Sequence, residues 1–224
     1  MSIIKYICYL QQTNNDEENK RKLTAIMKYM EKETNLPIPT TIELALDESP
    51  RPINGWDFDK IQSEMVNEDS ILSLENMGSG FDFSFVFSYP KIDIRIDTEY
   101  YLDYKDFLNV QNVQKLIKHF EGDFESIQCL EREGNTKVYE NYFEFTQWSR
   151  TPNMRCLSWL QYYNHDELRR QGGDAILENP YIKAERLCGG ILVQVGESLE
   201  EAYSPEGQEL LVKATKAMPP VQQI

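Results

Sequence analysis

The stretch Phe81-Asp-Phe-Ser-Phe-Val-Phe-Ser-Tyr-Pro-Lys-Ile-Asp-Ile-Arg-Ile-Asp97 decides the fold class. Phenylalanine fills every second position of its first half and isoleucine does so in the second half, with mostly polar residues between. This alternation predicts two β-strands with one apolar face, and the Ser-Tyr-Pro-Lys turn predicts that they form a hairpin. One-sided patterning is typical of an antiparallel sheet with helices packed on one face.

The residues before the hairpin predict a strand, a helix and an insertion. Residues 3–10 form an apolar strand, and Thr13-Asn-Asn-Asp16 has the capping-box pattern that opens a helix ending near Thr34. The apolar stripe of this helix is Leu23, Ile26, Met27 and Met30. Residues 35–57 are proline-rich and predicted to be irregular. A short helix at 58–66 and a strand at 71–74 are predicted to follow.

After the hairpin, Asp106 or Asn109 is predicted to cap a second helix, and residues 123–130 form another strand. The buried side of that helix is predicted to carry Val110, Val113, Leu116, Ile117 and Phe120. Without the insertion, the element order is βαββαβ, which is ferredoxin-like. The sequence therefore predicts an α+β protein with a ferredoxin-like N-terminal part at 1–135.

A C-terminal β/α part at 140–224 is predicted to share the core, so that residues 1–224 form a single domain. Its predicted elements are a strand at 155–163, a brief helix at 165–171, two strands within 181–196 separated at Gly189-Gly190, and a last helix opened by Ser204-Pro205.

The chain is strongly acidic. It has 23 Lys and Arg against 37 Asp and Glu, a net charge of −14. This balance argues against direct binding to nucleic acid or to anionic lipid, since both select for a basic face. It suits a basic protein partner, although an acidic surface that only keeps the protein soluble is the simpler interpretation.

Catalytic signals are weak, and we predict no enzyme activity, no metal and no cofactor. The chain has two histidines, His119 and His165, and neither lies in a motif with a nucleophile. Asp82, Asp93 and Asp97 share the polar face of the hairpin with Arg95, which predicts a solvated sheet face. The four cysteines lack metal-ligand spacing and are predicted to be reduced and buried, typical of a cytoplasmic protein.

Three stretches resemble immunity protein family 52 of bacterial polymorphic toxin systems and its type VI secretion relatives. They are Tyr6-Ile-Cys-Tyr-Leu10, Leu157-Ser-Trp-Leu-Gln-Tyr-Tyr163 and Gly189-Gly-Ile-Leu-Val-Gln-Val-Gly-Glu197. Gln11-Gln12-Thr13 stands where the family has an aromatic-Gly-Pro-Arg opening, so the toxin type is left open.

The resemblance implies a cytoplasmic antitoxin without catalysis, which binds a secreted toxin domain, expected to be a basic nuclease, and blocks its active site. Residues 43–75 contain nine acids and two bases. From charge alone an ordinary solvated insertion is the simpler interpretation, whereas the resemblance implies an acidic limb that occupies such a cleft. The predicted partner-binding residues are Trp56, Asp57, Phe58, Asp59, Glu64, Glu68 and Asp69. Two alternatives stay open: the two aromatics hold the insertion onto the core, and the protein is a non-catalytic ligand-binding or regulatory α+β module.

Overall fold

The protein belongs to the α+β class. The structure, a computed structural model, describes residues 3–13, 15–34, 36–44, 49–65, 71–76, 80–86, 90–100, 108–132, 134 and 157–219. The chain divides into two compact units, the first from Ile3 to Phe124 and the second from Glu125 onwards. Each unit contains helices and antiparallel strands. The single shared core, the ferredoxin-like arrangement and the packing of helices on one face stay predictions.

The first unit contains most of the predicted elements. In chain order they are β1 (Ile3–Leu10), α1 (Asp16–Glu33), β2 (Thr41–Leu44), β3 (Arg51–Pro52), α2 (Phe58–Glu64), β4 (Ile71–Asn76), β5 (Phe81–Val86), β6 (Lys91–Asp97), a 3₁₀ turn (Thr98–Tyr100) and α3 (Val110–His119). Its strands lie in the order β3-β2-β4-β5-β6-β1, each antiparallel to its neighbour.

The predicted hairpin is confirmed as β5 and β6. Phe83 lies opposite Ile94, and Phe85 lies opposite Ile92. All four side chains are fully buried, because the alternation places them on the same face of the sheet. Phe87 lies outside the described residues.

The prediction that residues 35–57 are irregular is wrong, because they contain β2 and β3. β2 pairs with β4 and places Ile42 opposite Leu74, and both side chains are fully buried. Pro52 is tolerated in β3 because an edge strand does not need every backbone N–H. A four-residue strand among prolines shows too little alternation to be recognised locally, and its partner lies more than 25 residues further along the chain.

Helix α1 buries the predicted stripe, but its cap differs. Its N-cap is Asn15, whose side chain accepts hydrogen bonds from the amides of Glu17 and Glu18 at 3.1 and 3.3 Å. Thr13 lies two residues earlier, and its hydroxyl donates to the side-chain oxygen of Asn19 at 2.9 Å. The helix ends at Glu33, and its C-cap is Thr34, near which the end was predicted. Asn can fill the cap because its carbonyl oxygen reaches the free amides of the first turn.

Helix α3 begins at one of the two predicted caps. Asn109 is the N-cap, and its side chain accepts from the amide of Asn112 at 2.8 Å. Asp106 lies outside the described residues. Three of the five predicted core positions are fully buried, while Val110 and Phe120 are half-buried at the ends.

The second unit begins at the second residue of β7. Its elements are β7 (Phe124–Glu131), β8 (Leu160–Tyr163), α4 (His165–Arg170), a 3₁₀ helix (Gly173–Glu178), β9 (Lys183–Leu187), β10 (Gly190–Gln194), α5 (Leu199–Ala202) and α6 (Pro205–Lys216). The strand order is β7-β8-β10-β9, antiparallel throughout. The strand predicted at 155–163 is shorter at its start, and residues 155 and 156 lie outside the described part. The cap at Ser204 is confirmed.

The hairpin between β9 and β10 turns one residue earlier than predicted. Cys188 and Gly189 have φ values of 47° and 74°, as in the two-residue turns that suit the twist of a hairpin. Gly190 belongs to β10, where a Cβ atom would lie 2.1 Å from the carbonyl oxygen of Tyr163. Glycine is therefore required at 190 by close strand packing.

Candidate functional site

Four of the seven predicted partner-binding residues lie together at the start of helix α2. Trp56, Asp57, Phe58 and Asp59 are consecutive, and we call them the α2 surface. Both aspartates are exposed, and both aromatic residues are half-buried. Glu68 and Asp69 lie outside the described residues.

Asp57 has a structural role in addition to its charge. It is the N-cap of α2, and its carboxylate accepts a hydrogen bond from the amide of Lys60 at 3.1 Å. A carboxylate suits this position because it binds a free amide and opposes the positive end of the helix dipole. The sequence pattern at 57–60 could have indicated this cap.

Trp56 and Phe58 fasten α2 to the rest of the first unit. Their rings stack with centroids 6.0 Å apart, and the Trp56 ring meets Phe83 of β5 edge-on at 5.6 Å. The ammonium group of Lys28 on α1 lies 5.2 Å from the centre of the Phe58 ring. These contacts support the alternative in which the aromatics hold the insertion onto the core, and they make α2 a rigid base for its carboxylates.

Glu64 is engaged within the insertion. Its two carboxylate oxygens each accept from one terminal nitrogen of Arg51, both at 3.0 Å. Such a bidentate pair ties β3 to the end of α2 and partly neutralises the charge of Glu64. Asp57 and Asp59 are therefore better placed than Glu64 to attract a basic partner.

The prediction of a solvated sheet face is wrong for Asp93, which is buried, whereas Asp82, Arg95 and Asp97 are half-buried and keep contact with solvent. Asp93 is 3% exposed and lies within 3.9 Å of Lys5, 3.3 Å of Lys91 and 3.4 Å of Arg95. Arg95 also pairs with Asp82 at 3.4 Å. The register brings these residues together, since Arg95 lies opposite both Asp82 on β5 and Lys5 on β1.

Burial changes the chemistry of Asp82. It raises the pKa of this carboxyl to about 6, helped by the negative charges of Glu75 and Asp93 and opposed by Arg95 and Lys5.

Mutual neutralisation of carboxylates and cations is typical of a structural ion-pair network. Within the described residues, no three His, Cys, Asp or Glu side chains are arranged to hold a metal ion. The sequence showed the alternation on each strand, but the neighbours depend on the register.

The two histidines contact side chains within their own parts of the fold. The exposed ring of His119 ends α3 and stacks on Tyr29 at 4.4 Å. His165 is the exposed first residue of α4, and its Nε2 lies 3.0 Å from a guanidinium nitrogen of Arg169.

The cysteines follow the predicted pattern in part. Cys8 and Cys129 are buried thiols, and burial raises the pKa of the Cys8 thiol far above its usual value. Cys188 is a half-buried thiol, and Cys156 lies outside the described residues.

Comparisons with protein-family models, with curated proteins and with solved structures gave no match. Across the described ranges, no helix has the length and apolar character needed to cross a membrane. The function is therefore inferred from the chain's own residues.

Proposed function

We propose that this protein is a cytoplasmic immunity protein, which binds and blocks a secreted toxin domain with a basic surface, expected to be a nuclease, and catalyses no reaction. The observation that carries the proposal is the α2 surface. Two exposed aspartates lie at the start of a short helix, which Trp56 attaches to Phe83 of β5 and Phe58 attaches to Lys28 of α1. The resemblance to immunity protein family 52 is consistent with this function.

The acidic surface can attract a basic protein domain through long-range electrostatics. A chain with a net charge of −14 attracts a basic domain over roughly a Debye length, about 8 Å at physiological ionic strength. This attraction raises association rates and discriminates against acidic competitors. A nuclease cleft is basic because it must hold phosphates, so an acidic inhibitor can compete for the same cations.

The alternative is a non-catalytic module that binds a small ligand. A cleft between α1 and α3 is lined by Tyr6, Tyr29, Met30 and Leu116, among others, and its cavity volume is about 10 Å³, which is room for about one water molecule. Pockets for drug-sized ligands usually enclose about 300–1,000 Å³. This cleft is therefore too small to hold such a ligand.

Co-expression tests the proposal. The C-terminal domain encoded immediately upstream of this chain is expressed in a bacterium with and without the protein, and growth is compared. We expect growth arrest that the protein relieves, together with co-purification of the two chains at low salt. A toxic domain that stays toxic, or a harmless domain, would count against the immunity function and favour the ligand-binding module.

A further inference from the structure

Ile38 is an apolar side chain held in an exposed position. It is 64% exposed, against 40–42% for the other exposed large apolar side chains of the described residues. The prolines on both sides of it, Pro37 and Pro39, are buried. The backbone is thus anchored before and after Ile38, while the side chain remains in solvent.

Hydrogen bonds hold the backbone around Ile38 in place. The carbonyl of Ile38 accepts a hydrogen bond from the side chain of Asn76 at 2.7 Å, and the amide of Thr40 donates to the carbonyl of Glu75 at 2.8 Å. Proline on each side also restricts the backbone. Such a segment loses little conformational entropy when it binds, which is what an interface anchor requires.

Ile38 borders the α2 surface. Its Cγ2 atom lies 3.5 Å from the position that a Cβ of residue 55 would occupy, so its side chain lies against Gly55. The amide of Asp57 donates to the carbonyl of Gly55 at 2.9 Å. The exposed isoleucine therefore lies against residue 55, two positions before the exposed Asp57 in the chain.

We infer that Ile38 is the apolar anchor of the partner-binding surface, and that the partner is a protein domain whose basic side chains surround an apolar pocket. This inference rests on the proposed function. Energetically important interface residues are often apolar groups that fill a pocket and are ringed by polar contacts. A second copy of this chain fits less well, because it would bring the acidic surfaces of two chains with a charge of −14 together.

The test uses a catalytically inactive version of the toxin domain that the wild-type protein neutralises. Binding kinetics are measured for Ile38→Ala and for a control, Leu177→Ala, which truncates an apolar side chain that is 40% exposed. We expect Ile38→Ala to weaken binding about 30-fold, mainly through faster dissociation and equally at low and high salt. The control should change the affinity less than about threefold. Thermal unfolding checks that both variants are folded. Ile38→Lys is a second probe, because it places a positive charge where a basic partner would repel it and should weaken binding.

The outcomes separate the inference from the function on which it rests. If the wild-type protein neutralises the toxin but Ile38→Ala and Ile38→Lys bind with unchanged affinity, Ile38 is not the anchor and the immunity function stands. If the wild-type protein neutralises no toxin, or neutralises one without binding it, both are wrong. If the free protein is a dimer that Ile38→Lys dissociates, the residue serves self-association and the inference is overturned.

Discussion

Asp57 allows the two roles of one carboxylate to be separated by mutation. It caps α2 through the hydrogen bond from Lys60, and it is one of the two exposed charges of the α2 surface. Asp57→Ala removes both roles. Asp57→Asn keeps a side-chain oxygen for the amide of Lys60 and removes the charge. Asp59→Asn removes a neighbouring exposed charge without touching the cap, and it is the matched control.

The expected magnitudes follow from these contacts. Loss of an N-cap costs about 0.5–2 kcal/mol, and a value near 1 kcal/mol is expected for an exposed cap on a seven-residue helix. Asn and Asp cap almost equally well, so Asp57→Asn should lower the free energy of unfolding only through the helix dipole, by about 0.3–1 kcal/mol. Asp59→Asn should have an effect of the same size.

Urea unfolding and amide hydrogen exchange measure these differences. We expect Asp57→Ala to lower the unfolding free energy more than Asp57→Asn, and to speed exchange of the Ile61 amide, which donates within α2 to the carbonyl of residue 57. Equal stability of Asp57→Ala and Asp57→Asn would refute the cap. In binding to the inactive toxin domain, Asp57→Asn and Asp59→Asn should slow association at low salt and converge with wild type at high salt. Unchanged association would refute the electrostatic role.

Three further predictions concern the pH response, a glycine and the core. The pKa of Asp82 is raised in the folded protein, so ionisation of this carboxyl between about pH 4 and 6 opposes folding. Asp82→Asn removes this ionisation, so the variant should gain about 1–2 kcal/mol of stability relative to wild type as the pH rises through this window. Urea unfolding at several pH values measures the difference. A difference that is independent of pH would contradict the raised pKa. Gly190→Ala should lower stability by about 1–3 kcal/mol, because the new Cβ atom would clash with the carbonyl of Tyr163. Gly189→Asn should cost under about 1 kcal/mol, because the space around residue 189 is open and Asn tolerates positive φ. Thermal unfolding of the two variants distinguishes these costs. Met27→Ala should cost about 2–5 kcal/mol in urea unfolding, since this side chain is fully buried, and a smaller loss would show that the site collapses around the cavity.

Part of the candidate site could be predicted from composition. Counting charges located the acidic insertion, and the structure places Asp57 and Asp59 on its surface. Composition could not show that Glu64 is paired with Arg51 or that Asp57 caps α2, because both roles depend on where the backbone turns. Composition could not identify Ile38 either, because a lone isoleucine between two prolines carries no periodic signal.

The sequence by itself determined the elements whose signals are local. The period-two alternation of residues 81–97 produced the hairpin, and apolar stripes produced α1, α3 and α6, the last two with caps at Asn109 and Ser204. Each of these signals is complete within about 20 residues, so no distant contact was needed to recognise it.

Only the tertiary structure decided which distant residues meet. The pairing of β2 with β4, the contact of Trp56 with Phe83 and the ion pairs around Asp93 join segments that lie far apart in the chain or on different strands. Strand register sets these neighbours, and a shift of one residue would turn every side chain to the other face of the sheet. Alternation alone therefore gave the polar face of the hairpin, whereas register and burial decided that Asp93 would be enclosed by three cations.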